Sequence, residues 1–123
     1  MLRVSFVTIP VSDQDRALPF YTEKLGFEVI TDQPFGNGLR WIQLRPPGGS
    51  ADIVLFTPPG HENRVGTFQN VAFTCDDVRG TSEALKDRGV AFVEDAKRAD
   101  WGGMQAIFKD PDGNVFVLAS PHE

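Results

Sequence analysis

Apolar and polar positions along the chain spell one order of elements twice. Phe6-Val7-Thr8-Ile9-Pro10-Val11 is an apolar run that ends on Ser12 and Asp13, and Asn70-Val71-Ala72-Phe73-Thr74-Cys75 is a second that ends on Asp76 and Asp77. Each run leads into a helix-compatible stretch, a glycine (Gly26, Gly89) and a short strand-like segment, Phe27–Ile30 in the first half and Val90–Val93 in the second. Each half then closes on a hairpin pattern. Leu39–Arg45 and Asp52–Thr57 flank Pro46-Pro47-Gly48-Gly49, and Met104–Lys109 and Val115–Ala119 flank Asp110-Pro111-Asp112-Gly113. The predicted order in each half is β-α-β-β-β, an internal repeat that sets the fold class as α+β. Module 1 covers residues 1–57, module 2 covers 68–123, and residues 58–67 link them within a single domain of 123 residues. The linker is rich in Pro, Gly and polar residues, which predicts no regular structure and leaves His61 in solvent. His122, beside the C-terminus, is expected to fray.

The first helix carries its own start and stop. Ser12 or Asp13 can accept a hydrogen bond from a first-turn amide, Ala17, Leu18, Tyr21 and Leu25 form one apolar stripe, and Gly26 can take the left-handed conformation that ends a helix. Pro19 conflicts with this pattern, because a proline inside a helix costs about 3 kcal/mol. Either the helix starts late or it bends there. In the second half Asp76 or Asp77 caps, Leu85 packs and Gly89 stops, while Gly80 weakens the start.

Composition narrows the function classes. Apolar residues make up 41% and charged residues 24%, which describes a folded globular chain. A net charge of −5 repels phosphate backbones, so no nucleic-acid partner is expected, while a cationic ligand is permitted. Cys75 has no second cysteine to pair with and sits in an apolar run, which predicts a buried, inert thiol in a reducing compartment. No apolar run approaches a membrane span and the N-terminus lacks a signal-peptide layout, so the expectation is a cytoplasmic protein with no membrane partner.

Val11-Ser12-Asp13 followed by Phe20-Tyr21-Thr22-Glu23-Lys24-Leu25-Gly26-Phe27-Glu28-Val29, together with Asp110-Pro111-Asp112-Gly113-Asn114, resembles the vicinal oxygen chelate superfamily. That group includes glyoxalase I, extradiol dioxygenases, fosfomycin-resistance enzymes and the metal-free bleomycin-resistance proteins. The stretch from Arg40 to Gly48, with Trp101-Gly102-Gly103, is similar to a glyoxalase-like bacterial subgroup. The resemblance implies two βαβββ modules forming a cupped eight-stranded mixed sheet with helices on the convex face. It also implies a homodimer, in which relatives commonly build each cup from the first module of one chain and the second of its twin. Metal-dependent members take their ligands from the first and last strand of each module. Carried over to this chain, those positions are Phe6, Val54, Asn70 and Val117. A phenylalanine and two valines carry no lone pair for a metal, and an amide oxygen is a weak donor to Zn²⁺, Ni²⁺ or Fe²⁺, so neither metal nor cofactor is expected. Asp52, two residues from Val54, is the one neighbour with a carboxylate.

Strand alternation assigns what lines the cup instead. Ile42 and Leu44 turn to the helix, leaving Trp41 and Gln43 inward; Ala106 and Phe108 do the same, leaving Gln105 and Ile107. Phe6, Thr8, Asn70 and Ala72 point inward from the first and fifth strands, and Val54, Phe56 and Val117 from the fourth and eighth. Trp101 stands beside the flexible Gly102-Gly103 at the mouth. The candidate ligand-binding set is therefore Phe6, Thr8, Trp41, Gln43, Val54, Phe56, Asn70, Trp101, Gln105 and Val117, with no catalytic residue. An aromatic and apolar cavity with a few amides suits a small, partly apolar molecule. A collapsed core made of the same apolar side chains is the competing reading, against which stand the amides, which need partners if buried.

Three functions follow in order. The first is a metal-free binding protein of the bleomycin-resistance kind. The second is a lyase, isomerase or dioxygenase of the glyoxalase type with a displaced metal or none. The third is a subunit or regulator whose cup takes a partner chain or is vestigial. The identity of the ligand lies outside what the sequence specifies.

Overall fold

The protein was analysed as a computed structural model that describes residues 1–36, 38–49 and 51–121; His122 lies outside the described residues. The chain divides into two compact units, Met1–Val65 and Gly66–Glu123. The first contains β1 (Phe6–Ile9), α1 (Gln14–Pro19), β2 (Glu28–Pro34), β3 (Arg40–Arg45) and β4 (Asp52–Leu55). The second contains β5 (Phe68–Thr74), α2 (Val78–Asp87), β6 (Ala91–Arg98), β7 (Met104–Lys109) and β8 (Val115–Ala119). Both halves follow the predicted βαβββ order. The eight strands pair within their own units, as four-stranded sheets in the order β1-β4-β3-β2 and β5-β8-β7-β6. In each sheet the first strand lies parallel to the last, and the other pairs are antiparallel.

One face of each sheet is sealed by the helix. Ile9, Ile42, Leu44, Ile53 and Leu55 are buried in the first unit, with Ala17, Phe20 and Tyr21 of the helical segment. In the second unit Phe73, Phe108 and Phe116 form a ring cluster with centroids 5.5–6.1 Å apart, Phe92 stands 5.8 Å from Phe108, and α2 contributes Val78 and Leu85.

Of the two cap candidates in each half, the second is used. Asp13 accepts from Arg16 N at 3.1 Å, and Asp77 accepts from Gly80 N at 2.9 Å. A Cβ on Gly80 would stand 2.4 Å from the Asp77 carboxylate, so the glycine that weakens the helix makes room for its cap. Of the two alternatives at Pro19, the late start is not what occurs, because the helix begins at Gln14. The segment changes from α at Pro19 to a π-helical turn over Phe20–Lys24, closed by Leu25 N to Phe20 O at 3.1 Å. The Thr22 hydroxyl donates to the Leu18 carbonyl at 2.9 Å, satisfying one acceptor in the distorted turn. The extra residue per turn rotates the buried stripe. Phe20 is buried, which the periodicity missed, while Leu18 and Leu25 are only half-buried.

Other expectations are corrected. β2 and β6 run on to Pro34 and Arg98, well past Ile30 and Val93. They are edge strands, whose outer residues need not be apolar, and bulges interrupt both. The linker contains a 3-10 turn at Glu62–Arg64, closed by Val65 N to Glu62 O at 3.3 Å. Cys75 is half-buried and not enclosed, because it follows the end of edge strand β5. His61 is exposed, as expected.

Candidate functional site

The helix-free face of the first sheet is built by alternation. Between the fully buried Ile42 and Leu44, β3 turns Trp41, Gln43 and Arg45 to the other side. β4 adds Asp52 and Val54, with Phe56 just beyond it, and β1 adds Phe6 and Thr8, opposite Asp52 and Val54. Trp41 is the hub. Its ring lies 5.2 Å from Phe6, edge-on at 90°, 5.6 Å from Phe35 and 5.8 Å from Phe56, while Phe35 and Phe56 are 5.3 Å apart. Edge-on and tilted pairs of this kind each add about 0.5–1.5 kcal/mol beyond their buried area. The cluster is open on one side: Phe6 is 40% and Phe35 56% exposed, whereas Val54 and Phe56 are buried.

A polar chain crosses this aromatic surface. Trp41 Nε1 donates to Gln43 Oε1 at 3.1 Å, and Gln43 Nε2 donates to Asp52 Oδ2 at 2.7 Å. Arg45 grips the same carboxylate with both sides of its fork, Nε to Oδ1 at 2.9 Å and Nη2 to Oδ2 at 3.1 Å. Asp52 is buried. Arg45 and then Gln43, by hydrogen bonding, hold its carboxyl below the ordinary value of 3.8, against the opposing effect of burial. A depressed folded-state pKa means that the stability Asp52 contributes is complete above its unfolded value and is lost as pH falls through the folded one. Asp52→Ala should therefore destabilise the protein by about 2 kcal/mol at neutral pH, the scale of hydrogen bonds to a charged group. That gap should shrink below about pH 4. Urea unfolding of both proteins at several pH values checks this; a gap that is the same at pH 3 and pH 7 would contradict it.

The second sheet repeats the arrangement with different residues. Ala106 and Phe108 are buried, and Gln105 and Ile107 take the other face, with Val117 opposite Ile107. Trp101 lies in the β6–β7 connection, 46% exposed, and its Nε1 donates to Gln105 Oε1 at 3.2 Å. Gln105 Nε2 reaches Glu94 Oε1 at 3.3 Å, and Lys97 Nζ stands 3.4 Å from the same oxygen. Trp101 also borders a groove of about 580 Å³ with Asp76, Arg98, Met104 and Ser120. Asn70 sits apart from this group. It takes φ +57° inside a bulge between Phe68 and Ala72, is exposed, and interrupts the β5–β8 ladder.

The structure thus gathers Phe6, Thr8, Trp41, Gln43, Val54 and Phe56 on one face of the first unit, and Trp101 with Gln105 in the second. Sequence reasoning missed three participants. Arg45 shares the parity of Trp41 and Gln43 and was there to be read. Phe35 follows the strand-ending Pro34, where alternation gives no signal, and Glu94 lies in the part of β6 beyond its predicted end.

The side chains at the four positions that the resemblance assigns to metal ligands do not fit a transition metal. Phe6, Val54 and Val117 bring no donor atom, and Asn70 brings one neutral amide from a bulge. Both oxygens of Asp52 already accept from Arg45 and Gln43, so a cation there would have to displace a guanidinium. Among the described residues no group of three or more His, Cys, Asp or Glu is placed to hold a metal ion.

Comparison with known proteins agrees with this fold. The family described as "Glyoxalase/Bleomycin resistance protein/Dioxygenase superfamily" matches residues 3–118. TnmS3, an antibiotic-binding protein from Streptomyces sp. CB03234, is 38% identical and superposes with a TM-score of 0.86, covering 99% of this chain and 98% of that one. A member of the same superfamily from Sphaerobacter thermophilus is 32% identical with a TM-score of 0.88, covering 98% of both chains. The uncharacterised protein YetH of Bacillus subtilis is 34% identical over 94% of this chain and 96% of its own.

Proposed function

We propose that this chain, which belongs to the glyoxalase/bleomycin resistance protein/dioxygenase superfamily, binds and sequesters a small, partly apolar compound of the antibiotic kind without using a metal. The observation that carries the reading is the four-ring cluster of Phe6, Phe35, Trp41 and Phe56 on the helix-free face of the first sheet. Exposed aromatic rings beside a few fixed polar groups are what a pocket for an apolar ligand requires. The likeness to an antibiotic-binding protein supports the same reading.

The test is thermal unfolding against a panel of aromatic antibiotics. A compound that binds only the folded protein stabilises it by about 2.7 kcal/mol at a hundred times its Kd, which for a chain of this size raises the melting temperature by roughly 8 °C. The shift should persist in chelator. A panel without any shift would overturn the reading. Elemental analysis of untagged protein should give well under one Zn, Ni, Mn or Fe per chain. Close to one equivalent, lost on Asp52→Ala or Asn70→Ala, would favour a glyoxalase-type enzyme instead. We further propose a homodimer, because β1 and β5 are edge strands that carry exposed Phe6 and Phe68. Light scattering should give about twice the 13.6 kDa chain mass.

A further inference from the structure

The two units finish the same end of their sheets differently. In the first, Gln14, the opening residue of α1, plugs that end. Its Nε2 donates to the carbonyls of Arg40 and Leu55 at 2.6 and 2.8 Å, and its Oε1 accepts from Arg40 N at 3.1 Å. The Arg40 guanidinium goes to Asp15 and Asp32, and the Thr57 hydroxyl is tied to both backbone groups of Val11 at 2.9 Å. In the second unit the opening residue of α2 is Val78, a buried side chain that can neither donate nor accept. There the sheet end carries the groove of about 580 Å³.

Strand pairing fixes how the groove is lined. β5 and β8 run parallel and end together at Thr74 and Ala119, Arg98 stands opposite Met104, and Ser120 N donates to Met104 O at 2.9 Å. With the strand order β5-β8-β7-β6, Asp76, Ser120, Met104 and Arg98 make one row across the sheet end, acid at one edge and base at the other. Neighbouring strands lie about 4.8 Å apart, so three spacings root the two charges about 14 Å from each other. Among the described residues neither is in an ion pair. Asp77, not Asp76, caps α2, and Arg98 Nη1 donates to the Gly102 carbonyl at 2.8 Å, which orients the guanidinium without neutralising it. Gly102 holds that carbonyl in place at φ +98°, a conformation that suits only glycine. Ser120 Oγ accepts from Met104 N at 3.0 Å and keeps its own proton to donate.

We propose that this groove is a separate site for a short peptide with free termini, about three residues long, its ammonium on Asp76 and its carboxylate on Arg98. Met104 and Ser120 share the strand parity of buried Ala106 and Leu118, so the row is distinct from the helix-free face that carries Gln105 and Ile107. A carboxylate only accepts and a guanidinium only donates, which sets the direction of the ligand. An extended chain advances about 3.3–3.6 Å per residue, so three residues put roughly 10 Å between the terminal charges. A hydrogen bond of about 3 Å at each end then spans the row. Between the ends Ser120 donates to a peptide carbonyl, and the Met104 thioether meets an apolar central side chain. A single amino acid is too short to reach both charges.

The probe is Ala-Leu-Ala, titrated at millimolar concentration into the full chain while the backbone amides of Gly102, Gly103 and Ser120 are followed by NMR. With both termini free it should shift those amides, and free alanine should not. Acetylating the N-terminus or amidating the C-terminus should each weaken binding about five- to tenfold. Asp76→Asn should weaken the free peptide by the same factor and leave the acetylated one unchanged, and Arg98→Gln should do the same with the amidated one. Both side chains are exposed, so the variants should keep the parent melting temperature. A free peptide that leaves the three amides unmoved would overturn the site. Capped peptides that bind as well as the free one would overturn the charge reading on which it stands. Shifts confined to Gln105 and Ile107 would also overturn it, by placing the peptide on the helix-free face.

Discussion

Replacing Asn114 with alanine should destabilise the protein by about 3–4 kcal/mol, the range reached when one change leaves several buried polar groups without partners. Asn114 is fully buried at the end of the Asp-Pro-Asp-Gly turn. Its Oδ1 accepts from Gly66 N at 2.7 Å and from Gln69 Nε2 at 2.9 Å, and its Nδ2 donates to Asp110 Oδ2 at 2.9 Å. Asp110, itself buried, accepts from the backbone amides of Asp112 and Asn114 at 2.9 Å. One amide therefore ties the β7–β8 hairpin to the chain that leads into β5. Asn114→Asp separates geometry from charge. It keeps the shape and the acceptor but puts a second carboxylate 2.9 Å from Asp110. Like charges raise the folded-state pKa of such a pair, so the folded form holds a proton that the unfolded one has released, and folding gains as pH falls. The deficit of Asn114→Asp should thus narrow from pH 7 towards pH 4, while that of Asn114→Ala should change far less. Chemical denaturation of the three proteins decides it, and an alanine variant within 1 kcal/mol of the parent would show that the network is dispensable.

That network also marks the boundary of what could be read from the chain. The Asp-Pro-Asp-Gly-Asn motif announced a tight turn, and β7 and β8 run over the predicted residues because strict alternation around a strong turn leaves no other register. Buried Ile42, Leu44, Ala106 and Phe108 follow for the same reason. What escaped were features set by contacts distant in sequence or by backbone distortion. Edge strands β2 and β6 continue through polar residues because pairing to β3 and β7 holds them, not an apolar face. The π turn after Pro19 and the left-handed Asn70 shift the helical and strand phases by local geometry that no periodicity encodes. The amides Gln43 and Gln105 were recognised as needing partners. Their carboxylates lie on neighbouring strands, and only the observed register brings Asp52 and Glu94 within reach. The indole N–H groups carry no signal in the sequence either: both are already donors within the fold, to Gln43 and Gln105.

Trp41→Ala is the substitution that separates a binding surface from a core. On the reading proposed here, affinity for the compound giving the largest thermal shift falls by about 2 kcal/mol, some thirtyfold, as for a hot-spot aromatic. Stability should fall by less than that. Trp41 is only partly buried and its neighbours Phe6 and Phe35 are exposed, so truncation opens a space that water reaches and does not seal a cavity. Gln43 loses its indole partner but keeps Asp52. Equilibrium unfolding and titration of the same preparations give both numbers. Suppose the alanine variant loses about 3–5 kcal/mol of stability, as for a buried core aromatic, and binds unchanged. Then the four rings are packing, the helix-free face of the first unit is closed, and the ligand must be sought in the groove beside Trp101.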